Sequence, residues 1–132
     1  QYNHHLFTVD IDENALYVCR DVTKEFETFI TYVENDSVAF LRDFNQKIDF
    51  LYLDSRDIPE YDSPLSIGVL QSQIHQVLEL EAAYDKLSSD PIILLDDAAF
   101  SNGGKVRLSR VFLQERGFTE IMLDKQSLWI RK

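Results

Sequence analysis

The chain has 132 residues, enough for one domain with a sizeable core, and a formal charge of −10 that repels a phosphate backbone on average. Hydrophobic residues make up 45% and charged residues 27%, which excludes a disordered chain, and no apolar run approaches the roughly 20 residues that span a bilayer. A single cysteine, Cys19, excludes an internal disulfide and a cysteine-cluster zinc site.

Phe7-Thr8-Val9 is short and β-prone, and Asp10 and Asp12 stop it. Ala15, Leu16, Cys19, Val22 and Phe26 recur at three- and four-residue spacing, which predicts an amphipathic helix with Cys19 as a small buried apolar residue. Phe29 to Val33 reads as a second strand, and Asp36 or Ser37 can cap the helix after it, whose apolar face is Val38, Phe40, Leu41 and Phe44. Ile48 to Leu53, IDFLYL, is a third strand, apolar on both faces, as in parallel sheets covered by helices on each side. A polar loop with two prolines leads to a long helix from about Ser66 to Leu87, with Val69, Ile74, Val77, Leu78, Leu80 and Ala83 along one stripe. On that helix His75 stands four residues before Glu79, the spacing of a paired couple. Pro91 to Leu95 is a fourth strand. Val106 to Arg116 is a helix closed by Gly117, and Phe118 to Leu123 pairs antiparallel with Ser127 to Arg131 across Asp124-Lys125-Gln126. This alternation predicts an α/β three-layer sandwich with a mostly parallel sheet and a closing antiparallel hairpin, in a single domain over residues 1–132.

Each of the four parallel strands is followed by acid: Asp10 and Asp12, then Asp36, then Asp54 and Asp57, then Asp96 and Asp97. Parallel strands share one carboxyl edge, and ligands bind in the crevice outside it, so one rule gathers these carboxylates around one cleft. A carboxylate has two acceptor oxygens and can take both hydroxyls of a ribose, a role open to Asp10, while Asp36 can accept an adenine amine. Asp54, Asp96 and Asp97 can hold a hard divalent cation such as Mg²⁺, or leave one carboxylate as a general base for a hydroxyl substrate. Their mutual repulsion calls for a neutralising charge, for which Arg56 is the local candidate. Gly103-Gly104-Lys105 opens a helix but lacks the full phosphate-loop spacing. The densest basic stretch, Lys105, Arg107 and Arg110, is modest, so no nucleic-acid partner is expected, nor a membrane.

The stretches FTVDID, VENDSVAFL, IDFLYLDS and PIILLDD followed by GGKVRLSRVFLQERGF resemble the class I S-adenosylmethionine-dependent methyltransferases, most closely small-molecule members, from Leu6 to Lys132. The resemblance implies a Rossmann-like sheet in the order 3-2-1-4-5-7-6 with the terminal hairpin as strands six and seven. It implies S-adenosylmethionine as cofactor, with Asp10 on the ribose and Asp36 with Ser37 on the adenine. It implies Asp54 and Asp97 as catalytic residues beside the methyl group and the acceptor, and Asp54, Asp96 and Asp97 as ligands where a divalent cation such as Mg²⁺ is used. Members with such a metal commonly carry Asp-Asn where this chain has Asp96-Asp97.

The family's first strand and glycine-rich loop have no counterpart before Leu6, since the glycines are Gly68, Gly103, Gly104 and Gly117. The sequence therefore reads as N-terminally incomplete, starting at strand two. Either a segment of roughly 40–60 residues is missing, or a partner chain, a swapped strand or direct pairing fills the gap. Buried edges left open would strand backbone groups, which favours homo-oligomers through the open sheet edge. The first residue is Gln, which reads as a processed or excised chain, and with no signal peptide the cytoplasm is the expected compartment. The expected activity is methyl transfer to a small-molecule acceptor, a hydroxyl by preference. The alternatives are a non-catalytic methyltransferase-like interaction module and, last, a phosphate or nucleotide binder at Gly103-Gly104.

Overall fold

The computed structural model describes residues 4–59 and 61–131. They fall into two compact units, with the division between Asp43 and Phe44.

In the first unit, strand β1 (Leu6–Asp10) pairs in parallel with β2 (Ile30–Glu34), Leu6 opposite Ile30 and Asp10 opposite Glu34. Helix α1 (Glu13–Val22) starts where Asp12 accepts the Asn14 N–H, and it packs on both strands through the buried Leu16. It stops earlier than the apolar spacing predicts. Thr23 turns its hydroxyl back to the Cys19 carbonyl at 2.6 Å, and Lys24–Phe29 continues as a 3-10 helix that holds Phe26. Cys19 is half-buried rather than buried, and Tyr17, Val18 and Val22 are exposed. Helix α2 (Ser37–Asp43) packs against β1, burying Val38 and Leu41.

In the second unit, β3 (Ile48–Leu53) and β4 (Leu87–Leu95) are parallel, while β6 (Ser127–Arg131) runs antiparallel to both β4 and β5 (Phe118–Leu123). The order β3-β4-β6-β5 is the order expected for strands four, five, seven and six. The sheets of the molecule are thus partly parallel and partly antiparallel. Helices α3 (Ile67–Tyr84) and α4 (Val106–Glu115) pack on one another, α3 also against β3 and α4 against β5. Between them and the sheet lie Leu51, Leu53, Ile93, Leu95, Val69, Leu80, Val106, Leu113 and Trp129, all buried. The partners of the other face, Phe50 opposite Ile92, are 53% and 42% exposed, so β3 is not covered on both sides as its composition suggests.

The inward stripe of α3 also differs from the predicted one. Ile74 is 50% exposed, whereas Gln73, Gln76 and Glu79 are buried beside Val69, Leu80 and Ala83. Each polar residue has a specific partner: Gln73 donates to the Gly104 carbonyl at 2.9 Å, Gln76 accepts from Ser109 at 2.8 Å, and Glu79 accepts from Ser55 at 2.5 Å. These hydrogen bonds offset part of the desolvation, while Gln73 Oε1 and Glu79 Oε2 stay buried with no hydrogen-bond partner among the described residues. His75 Nε2 lies 3.7 Å from Glu79 Oε1, the predicted couple.

Candidate functional site

In the first unit, parallel pairing brings Asp10 and Asp36 to the same strand end, and the Asn35 N–H donates to the Asp10 carbonyl at 3.0 Å. One Asp10 oxygen accepts the Asp12 N–H and one Asp36 oxygen accepts the Ala39 N–H, both at 2.9 Å. Asp36 thus caps α2, and Ser37 is that helix's first residue. The capping contacts fix both carboxylates relative to the backbone.

In the second unit, β3 and β4 end in register at Leu53 and Leu95, and the Asp96 N–H donates to the Leu53 carbonyl at 3.1 Å. Asp54, Asp96 and Asp97 therefore emerge at one strand edge. Asp97 has a left-handed backbone, φ 53°, which sends the following loop back beneath the edge. The Lys105 N–H then closes onto the Asp97 carbonyl at 3.0 Å, and Gly104 makes that approach possible.

The result is an ion-pair network around a buried lysine, which the sequence reading missed. The Lys105 side chain is fully buried, and its Nζ lies 2.9 Å from Asp97 Oδ2 and 3.2 Å from Asp54 Oδ1. The two carboxylates keep contact with solvent, Asp54 more than Asp97. Arg56 does not neutralise the acids: its guanidinium donates to Gln71 instead. The one available signal was a lysine opening a helix directly after an acidic strand end. Without the fold of the loop, it read as part of a modest basic stretch or of a glycine turn lacking phosphate-loop spacing.

This arrangement does not support the expected cation site. Asp54, Asp96 and Asp97 do not converge as metal ligands, and among the described residues no group of three or more His, Cys, Asp or Glu side chains is arranged to hold an ion. Lys105 bridges Asp54 and Asp97. Both Asp96 oxygens are engaged elsewhere, Oδ1 by the Asp97 N–H and Oδ2 by the Tyr52 hydroxyl and the Gln126 amide. An ammonium already set between two of three candidate ligands does not fit a divalent cation.

Tyr52 and Asp96 shift one another's titration. Partial desolvation, then donation to Asp96, then the Asp54 and Asp96 charges push the Tyr52 phenol far above its usual range, so it serves as a donor rather than a base. Desolvation is the largest single influence on Asp96 and would raise it. Hydrogen bonds from Tyr52, Asp97 and Gln126, with the Lys105 charge, outweigh it and hold the carboxyl below its ordinary value. A depressed carboxyl contributes stability that is present above its unfolded value and is lost as pH falls through its folded value. Tyr52→Phe is therefore expected to move acid unfolding to higher pH and to raise the Asp96 titration, read from its carboxyl ¹³C shift. An unchanged Asp96 midpoint would show that the phenol does not set it.

The basic stretch is spent on structure. Besides Lys105, Arg107 donates to the Pro64 carbonyl and Arg110 pairs with Glu120 at 3.0 Å. No helix among the described residues is long and apolar enough to cross a membrane.

No protein-family model matches the sequence, and no curated protein matches it. Solved structures do match by fold. An SAH-bound methyltransferase from Podospora anserina superposes with a TM-score of 0.68 at 13% identity, over 98% of this chain and 61% of that one. A methyltransferase from Geobacter sulfurreducens gives 0.66 at 14% identity, over 96% of this chain and 57% of that one. An rRNA methylase from Streptococcus thermophilus gives 0.59 at 14% identity, over 97% and 75%.

Proposed function

We propose that this chain, whose fold is that of the class I S-adenosylmethionine-dependent methyltransferases, is a single methyltransferase-like domain that takes part in methyl transfer to a small-molecule hydroxyl. The observation that carries the reading is acid at the carboxyl ends of parallel strands in both units, in a fold shared with an SAH-bound methyltransferase. In this reading Asp10 takes the ribose hydroxyls, and Asp36 with Ser37 takes the adenine. Asp54 and Asp97 serve the acceptor. S-adenosylmethionine, when bound, would supply an electrophilic methyl group, and the carboxylates of Asp54 and Asp97 would orient the acceptor hydroxyl and receive the proton it gives up. Asp54 is the more accessible of the two to an acceptor, its side chain 51% exposed against 28% for Asp97. A small acceptor is favoured over nucleic acid by the charge of −10 and by basic side chains already paired.

Calorimetric titration of S-adenosylhomocysteine tests this, into the chain and into any longer natural product that contains it. Binding to either supports the reading. Binding to neither supports a non-catalytic interaction module, and binding of a nucleotide instead supports a phosphate site. Sedimentation of the same samples reads self-association through the open sheet edge.

A further inference from the structure

Lys105 is more than a neutralising neighbour. An ammonium has three donors, and three acceptors surround this one: Asp97 Oδ2 at 2.9 Å, Asp54 Oδ1 at 3.2 Å and the Ser55 carbonyl at 3.5 Å. Its side chain has no solvent exposure, so water cannot replace any of them. The chain around it is built to deliver it. The Lys105 N–H is bound by the Asp97 carbonyl, and the Gly104 carbonyl is bound by the buried Gln73 amide. The carboxylates it joins come from two different strand ends, so one cation ties β3 to β4 at the rim.

We infer that Lys105 is the resident cation of this acidic rim, a positioning residue that fixes Asp54 and Asp97 and thereby makes the site independent of divalent metal. A hard ion would need the same inward carboxylate oxygens at about 2.0–2.6 Å. An ion bridging them through those oxygens would sit against the buried ammonium, where like charges repel. Asp96 is oriented away from this pair by its own hydrogen bonds to the Asp97 N–H and the Tyr52 hydroxyl. A protein-borne cation also has a chemical consequence. It orients the carboxylates without acting as a Lewis acid on the acceptor, so the acceptor oxygen must be activated by proton removal. The inference stands on the ion-pair geometry and holds whichever group the site transfers.

The test is Mn²⁺ titration followed by the paramagnetic resonance of the free ion, together with thermal unfolding in millimolar Mn²⁺ or EDTA. Wild type is expected to bind no ion that Asp97→Asn abolishes, and its midpoint is expected to ignore both additions. Lys105→Met keeps the length and removes the charge. It is expected to bind Mn²⁺ at least about tenfold more tightly than wild type and to gain midpoint with the ion, and Lys105→Met/Asp97→Asn is expected to lose that gain. Wild-type binding abolished by Asp97→Asn would overturn the inference, as would a folded Lys105→Met with no gain. If Lys105→Met does not fold, wild type against Asp97→Asn decides alone.

Discussion

Gly104→Ala is expected to be among the most damaging single substitutions in the chain, costing about 3 kcal/mol or more of folding stability. A Cβ at Gly104 would lie 2.1 Å from the Asp97 carbonyl oxygen and 3.0 Å from that of Ala98, both backbone atoms that cannot swing aside. The positive φ of 60° adds a conformational cost, but that part is small, about 1 kcal/mol. Gly117→Ala separates the two contributions. Its φ of 80° is just as unfavourable, yet a Cβ there meets nothing within 4 Å, so only the cost of about 1 kcal/mol is expected. Urea unfolding of both variants measures the difference. Equal losses would mean that the loop relaxes around the added carbon. Relief of the clash by moving the Asp97 oxygen would also pull Lys105 off the rim, because that oxygen anchors the Lys105 N–H.

That loop marks the boundary of what the amino-acid sequence discloses. The strands and the hairpin were legible because their signals are local: IDFLYL and PIILL are apolar runs bounded by polar residues, and Gly117 sits with positive φ where a helix must stop. The acids were legible as strand-end residues because chain order and parallel pairing alone put them there. What failed depends on tertiary contacts. Gln73, Gln76 and Glu79 lie outside the apolar stripe that the spacing picks out, and their partners Gly104, Ser109 and Ser55 are distant in sequence. Arg56 was the nearest cation to the acids along the chain, and Lys105, some fifty residues from Asp54, is the nearest in space. Asp54, Asp96 and Asp97 resembled a metal triad by type and order. Their chemistry was decided by a lysine and a tyrosine whose places no spacing rule specifies.

The residues assigned to the cofactor and those assigned to the acceptor are expected to fail in different ways, and that difference is the sharpest check on their assignment. Asp10→Ala removes a carboxylate assigned to two ribose hydroxyls. Hydrogen bonds to a charged group contribute about 1.5–3 kcal/mol, so affinity for S-adenosylhomocysteine should fall roughly ten- to hundredfold. Turnover at saturating cofactor should change much less, because this contact is made equally in ground and transition states. Asp54→Asn leaves a side chain of the same shape that still accepts from Lys105 but cannot take the acceptor proton. Turnover should fall by about two orders of magnitude or more, with affinity for S-adenosylhomocysteine unchanged. The loss should be greatest where the acceptor hydroxyl is neutral and should shrink as pH rises and the acceptor ionises unaided. A thiol or another more acidic acceptor should partly rescue the variant for the same reason. If instead Asp54→Asn weakens cofactor binding while sparing turnover, the proton-accepting role passes to Asp97, which Lys105 holds by the shorter contact and which is the less exposed of the two.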